Sequence, residues 1–246
     1  MSRGFHSAKL REWVLEGIES AFDEWQEMSG EWLKTAPEYL LTVKVAQALK
    51  AAIPAEKRTL LMEPHVAKTL ADAGGVQRGP NAAKLRSGGR YDIVIGQGNG
   101  LPRAVIELKN PLWTPMGAAA LGDLHRICRT LLQGRSNTQI YMGLFGFYTS
   151  SAVPLRKDDS AAARLERKWL SEWEPKLKSW EWAGPSQKRY SSHLRISVVA
   201  NVHKLPVGKA VHAWAAVCVQ ITRKPRRSKK SGRALLATPR TRANGV

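Results

Sequence analysis

Asp92, Glu107 and Lys109 are the residues of this chain best placed to do chemistry, because each lies in a short apolar run. The runs are Arg90-Tyr91-Asp92-Ile93-Val94-Ile95 and Ala104-Val105-Ile106-Glu107-Leu108-Lys109, joined by a Gly- and Pro-containing turn from Gly96 to Pro102. Each reads as a buried β-strand. Alternate strand residues share a face, so Glu107 and Lys109 project together while Leu108 turns into the core. If the strands pair as a hairpin, Asp92 comes beside Glu107. Two carboxylates and an ammonium then meet among apolar neighbours, which is costly unless a cation sits between the acids. The chemistry such a cluster suits is the binding of a cation.

The elements that must position these residues can be read from periodicity. Leu10, Trp13, Val14, Ile18, Phe22 and Trp25 recur at three- and four-residue steps and predict a helix from His6 to Met28, stopped by Ser29-Gly30. A second helix runs from near Pro37 to before Pro54. Thr59 to Met62 reads as a strand, and His65 to Ala73 as a helix closed by Gly74-Gly75. A polar loop from Val76 to Gly89 leads to the Asp92 strand. Beyond Lys109, Pro111 and Pro115 precede a helix from Gly117 to Leu132, followed by a strand from Gln139 to Tyr148. The last third offers a helix from Asp159 to Trp173, then strands at Leu194 to Val202 and Val211 to Ile221 that extend the sheet or form a hairpin against it.

Asp92 followed by Glu107-Leu108-Lys109 resembles the metal site of the PD-(D/E)xK nuclease superfamily, and the order of elements from residue 38 to 148 resembles that family's core. Tyr91 stands where the family name has proline. The resemblance implies an α/β fold of restriction-endonuclease type, a mixed central sheet flanked by helices. It further implies that Asp92 and Glu107, with the backbone carbonyl of Leu108, hold Mg²⁺ or Mn²⁺. Lys109 would orient the attacking water or stabilise charge on the phosphate. Such a protein is a Mg²⁺-dependent endonuclease cutting DNA, of the kind used in restriction or phage defence. A protein that keeps the fold but only binds nucleic acid or assembles is the alternative. Cutting both strands of a duplex would favour a homodimer, although no heptad or self-complementary segment argues for one.

Glu38 is a further candidate catalytic residue, since many members of that superfamily carry an extra acid near this helix. Its competing reading is local: Thr35-Ala36-Pro37-Glu38 fits a capping box, with proline at a permitted early helical position. Glu63 reads as a surface or loop acid. Asp123, His125 and Arg126 lie on the helix after the motif; Arg126 suits a phosphate, but surface charge is its expected role. Trp169 and Trp173 share helical spacing with Leu165, and core packing is favoured over stacking on bases. No histidine pair has metal-ligand spacing. No phosphate-binding loop, nucleophile elbow or dinucleotide fingerprint occurs, and Gly98-Asn99-Gly100 reads as a turn.

Charge suits a polyanionic partner such as nucleic acid, and equally a soluble basic protein with a solvated tail; the motif tips the reading to nucleic acid, DNA by the resemblance. The chain carries 39 Lys and Arg against 20 Asp and Glu, a net +19. Nine of those basic residues, and no acid, fall in the last 24 residues, so the excess is shared between body and tail. From Arg223 onward no apolar period remains, and composition predicts a disordered basic arm covering 223–246. The rest, 1–222, reads as one domain with its core near 35–150 and an N-terminal helical addition. The N-terminus lacks the apolar stretch of a signal peptide, and no run is long enough to span a bilayer. Cys128 and Cys218, without C-x-x-C partners, read as buried small hydrophobes in a reducing cytoplasm.

Overall fold

A computed structural model describes residues 7–75, 89–112, 117–133, 139–154, 163, 165, 172–207 and 210–224. Six strands form one mixed sheet: β1 (Thr59–Met62), β2 (Ile93–Gly96), β3 (Pro102–Lys109), β4 (Met142–Pro154), β5 (Leu194–Val207) and β6 (Ala210–Arg223), in the order β1-β2-β3-β4-β6-β5. Only β3 and β4 run parallel. Parallel neighbours need a crossover, and α4 (Ala118–Leu132) supplies it. The β2–β3 hairpin turns through Gly100, whose backbone has φ +81° and whose N–H donates to the Gln97 carbonyl at 2.8 Å.

Helices cover both faces. On one, α1 (Ser7–Ser29) and α2 (Glu38–Ala52) bury Leu10, Val14, Ile18, Leu41 and Val45 with Ile93, Ile106, Leu108, Leu144 and Cys218. On the other, α3 (Val66–Asp72) and α4 bury Leu70, Leu124, Ile127 and Leu131 with Val94, Val105, Phe145 and Val219. Two short helices, α5 (Glu174–Ser179) and α6 (Gln187–His193), add Leu177, Trp180 and Tyr190 to that second layer. Both faces of β2 and β3 are therefore dry, which explains their continuous apolar runs. The contact between α1 and the sheet requires a glycine. A Cβ on Gly146 would stand 2.8 Å from the Leu108 side chain and 3.0 Å from that of Val14.

The N-terminal helix α1 lies directly on β4 and β6 and contributes to the core. The two expected C-terminal strands are present as β5 and β6, and they extend the same sheet to Arg223. Two expected boundaries are corrected, the start of the basic arm and the ends of β4. The basic arm does not begin at Arg223, which ends β6 and donates from Nε to the Leu131 carbonyl at 2.5 Å. Strand β4 also starts and ends later than the expected Gln139 to Tyr148, because its pairing with β6 continues to Pro154–Ala210. Residues 225–246, most of the loop 76–89 and most of the helix expected from Asp159 to Trp173 lie outside the described residues.

Both cysteines are free and buried. Among the described residues no helix is long and apolar enough to cross a membrane.

Candidate active site

Asp92 immediately precedes β2, and Glu107 and Lys109 end β3. The pairing of Ile93 with Ile106 sets Asp92 alongside the end of β3. There its Oδ2 accepts the Leu108 backbone N–H at 2.6 Å. The first acid and the E-x-K tripeptide are thus joined by a hydrogen bond at the carboxyl end of a central strand, where open α/β sheets place their ligands. Leu108 turns its side chain into the core, fully buried, as the alternation requires. In an extended strand a residue's N–H and C=O point to the same side, so the Leu108 carbonyl faces the Asp92 side.

Two further elements complete the cluster. Glu38 is the first residue of α2, and its Oε1 accepts a hydrogen bond from Lys109 Nζ at 2.8 Å. The capping-box reading fails on geometry. Pro37 occupies the cap position with no side-chain bond, and Thr35 Oγ1 instead donates to the Trp32 carbonyl and accepts from Trp25 Nε1. Asn110 fixes the approach of α2, because its Nδ2 donates to the carbonyls of Leu33 at 2.6 Å and Ala36 at 3.2 Å.

From α4 come Asp123 and Arg126. Arg126 forks onto Glu107, Nε to Oε1 and Nη2 to Oε2, both at 2.6 Å, and Nη2 also reaches Asp123 Oδ1 at 2.7 Å. Asp123 Oδ2 lies 3.3 Å from Lys109 Nζ, a charge contact without hydrogen-bond geometry. The expectation that Arg126 is a surface charge is therefore wrong: its side chain is 12% exposed and that of Glu107 1%. Tyr91, in the position named for proline, is also buried. Thr130 Oγ1 spends its one hydrogen on the Arg126 carbonyl, so Tyr91 donates to Thr130 at 2.5 Å and pins α4 against the strand.

The charges do not balance. Among the described residues, Glu38, Asp92, Glu107 and Asp123 face Lys109 and Arg126, four carboxylates against two cations. Burial pushes the Asp92 carboxyl up to about 6, against the Leu108 N–H and Lys109, while Glu38 and Asp123 push it the same way as burial. Burial also drives the Glu107 carboxyl well above the ordinary range, and the Arg126 fork pulls in the other direction. Burial works against the Lys109 charge too, but Glu38 and Asp123 outweigh it and leave the ammonium's pKa raised. Lys109 thus stays protonated.

The donor chemistry suits a hard divalent cation. Carboxylate oxygens and a peptide carbonyl are the ligands Mg²⁺ and Mn²⁺ take, and two uncompensated negative charges match a divalent ion. One condition attaches to the fit, since both Glu107 oxygens are engaged by Arg126. Among the described residues no group of three or more His, Cys, Asp or Glu side chains forms a ready cage.

Other candidates fall away from this cluster. Glu63, exposed after β1 with φ 51°, presents its carbonyl to Arg90 Nη1 at 2.6 Å. His125 points to the opposite flank of α4, with Nδ1 3.2 Å from the Tyr190 hydroxyl and its ring 5.3 Å from Trp182. Burial, then Arg129, lowers its pKa. His203 pairs with Glu19 at 2.8 Å on the other layer. Trp173 is buried with its ring 6.2 Å from Phe147, a core residue as expected; Trp169 lies outside the described residues.

Sequence reasoning missed Asp123 and Asn110 as parts of the site and misjudged Arg126. A signal for the helix was present. Asp123, Arg126 and Thr130 lie at i, i+3 and i+7, one polar line along the flank of the apolar stripe formed by Leu124, Ile127 and Leu131. No protein family, curated protein or solved structure matches the chain.

Proposed function

We propose that this protein is a divalent-metal-dependent nuclease that hydrolyses phosphodiester bonds in DNA, built on a restriction-endonuclease-like fold. One observation carries the reading. The hydrogen bond from Leu108 N–H to Asp92 draws an acid to an E-x-K tripeptide, within a cluster that among the described residues holds four carboxylates and two cations, in a chain of net +19. The acids favour a cation, and the chain's excess of Lys and Arg favours a polyanion.

Asp92 and Glu107 would hold Mg²⁺ or Mn²⁺, with the Leu108 carbonyl on the same side. The chemistry supplied there would be activation of a water and neutralisation of phosphate oxygens. Glu38 and Asp123 favour the charged form of Lys109. Its role is to donate hydrogen bonds to the attacking water or to the phosphate oxygen that gains charge. Glu38 holds that ammonium in place and so acts on the reaction through Lys109.

A second reading is favoured by the Arg126 fork. A closed network in which Glu107 is already satisfied suits a protein that keeps the fold and binds nucleic acid without cutting it. One experiment separates the two. Supercoiled, linear and single-stranded DNA are incubated with the protein in Mg²⁺, Mn²⁺ or EDTA, alongside Asp92→Ala and Lys109→Met. Cleavage that needs metal and is lost in both variants is expected. Binding without cleavage under every condition would favour the second reading, and cleavage persisting in both variants would place any activity elsewhere.

A further inference from the structure

The Arg126 guanidinium occupies both oxygens of Glu107, and it does so from a separate element. Glu107 has 1% of its side chain exposed and two bonds of 2.6 Å, so no lone pair pointing at Arg126 is free for another cation. Asp123 holds the same Nη2 at 2.7 Å from one turn earlier on α4. Arg126 therefore has a second anchor, and it keeps a partner if it lets go of Glu107. Thr130 and Tyr91 fix the helix backbone at Arg126 itself, leaving the side chain as the part able to move.

We infer that Arg126 is an internal stand-in for the divalent cation at Glu107, which the metal must displace, and that Asp123 is the berth that keeps the displaced guanidinium at the edge of the site. The inference rests on the proposed metal site. It adds that the protein lowers its own metal affinity: a carboxylate as buried as Glu107 cannot be left bare, and the fork prevents that while no metal is bound. A bidentate fork is also a selective competitor, because it binds both oxygens in one plane and takes the lone pair of each that a chelating metal would use. Lysine at the same place would hold one oxygen with a single charge-assisted bond.

The test measures Mn²⁺ binding directly, by calorimetry and by the electron paramagnetic resonance signal of free Mn²⁺, with no nucleic acid present. The full chain is compared with Arg126→Lys, Arg126→Gln, the remote control Arg195→Gln and Asp92→Ala. Arg195 is exposed on β5, so its loss reports only the general effect of removing one positive charge. Arg126→Gln should bind Mn²⁺ about tenfold tighter or more, a coupling of ordinary size between two ligands of one site. Arg126→Lys should fall between it and the unaltered protein, and Arg195→Gln should match the unaltered protein. Melting curves with and without Mn²⁺ cover the case in which Arg126→Gln is unstable. A variant that lacks the stand-in should melt earlier without metal and recover more with it. Equal or weaker binding in both Arg126 variants would overturn the inference, as would a gain no larger than that of Arg195→Gln. Unaltered protein that binds no Mn²⁺, or binds it equally after Asp92→Ala, would remove the metal site and the inference together. That outcome is distinct from normal Asp92-dependent binding that ignores Arg126.

Discussion

Replacing Asp92 by asparagine tests the electrostatics of the site without reference to catalysis. Asp92 Oδ2 accepts the Leu108 N–H, and an asparagine carbonyl oxygen can accept the same bond. The substitution therefore removes charge and leaves the hydrogen bond. Burial raises the folded-state pKa of Asp92 from the ordinary 3.8 to about 6. Below pH 3.8 the group is protonated in both states and contributes nothing. Between 3.8 and about 6 the folded protein holds a proton that the unfolded chain has lost, so stability falls as pH rises. Above about 6 the whole penalty is present. The shift corresponds to about 3 kcal/mol at 1.36 kcal/mol per pH unit. Partial exposure of Asp92 screens this, leaving about 1–2 kcal/mol.

Asp92→Asn should accordingly be more stable than the unaltered protein by about 1–2 kcal/mol at pH 7.5, and no more stable at pH 3.5. Urea denaturation at pH 3.5, 5, 6 and 7.5, without divalent ions and with EDTA, measures the difference. Adding Mn²⁺ at pH 7.5 should stabilise the unaltered protein and leave Asp92→Asn unmoved. A difference between the two proteins that does not change with pH would refute the reasoning. So would a less stable asparagine variant at pH 7.5, because either result means that Asp92 is not an uncompensated acid.

Three further expectations can be checked with the same preparations. Glu38→Gln, at an N-terminal helix position where no cap bond is lost, should change stability by less than about 0.5 kcal/mol while clearly lowering cleavage; loss of stability without loss of cleavage would make Glu38 structural. Asn110→Ala strips donors from the Leu33 and Ala36 carbonyls and should cost about 1–3 kcal/mol in thermal denaturation, with weaker cleavage because Glu38 loses its fixed approach to Lys109. Truncation after Lys224 removes seven basic residues and should flatten the salt dependence of DNA binding while leaving stability unchanged. Truncation after Thr222 should in addition destabilise the fold, because it deletes the Arg223 bond to Leu131; equal melting temperatures for the two truncations would show that bond to be idle.

The fold was most legible where burial is two-sided. The β2 and β3 runs are nearly unbroken apolar segments because helices cover both faces, and α1, α2 and α4 declared themselves through apolar spacing. Legibility failed where pairing rather than pattern sets the ends. Strands β4 and β6 run on through Thr149, Ser150 and Ala213 because each is hydrogen-bonded to the other, and β5 reaches Val207 through polar and proline residues for the same reason. The N-terminal helix looked peripheral because nothing in its own sequence tells which surface its apolar stripe covers. Gly146 on β4, which leaves room for Val14 and Leu108, is the partner feature, and it lies more than a hundred residues away.

At the site, the difference between what could and could not be read lies in the direction of the argument. Asp92, Glu107 and Lys109 were legible because strand alternation fixes which side chains share a face, and polar residues in a buried run stand out. Arg126 and Asp123 were not, because an i,i+3 pair of opposite charge on a helix is the ordinary signature of a solvated face. The error lay in judging them from the helix alone. Once Glu107 is taken as buried, it must either hold its proton or find a cation within bonding reach, and with no metal bound the chain is the source of that cation. The crossover helix from β3 to β4 packs against the end of β3 by necessity, so a basic residue on the flank of its apolar stripe is the nearest source. Arg126 is the residue that meets both conditions. The same reasoning, started from the charge a buried acid requires, would have found it from sequence.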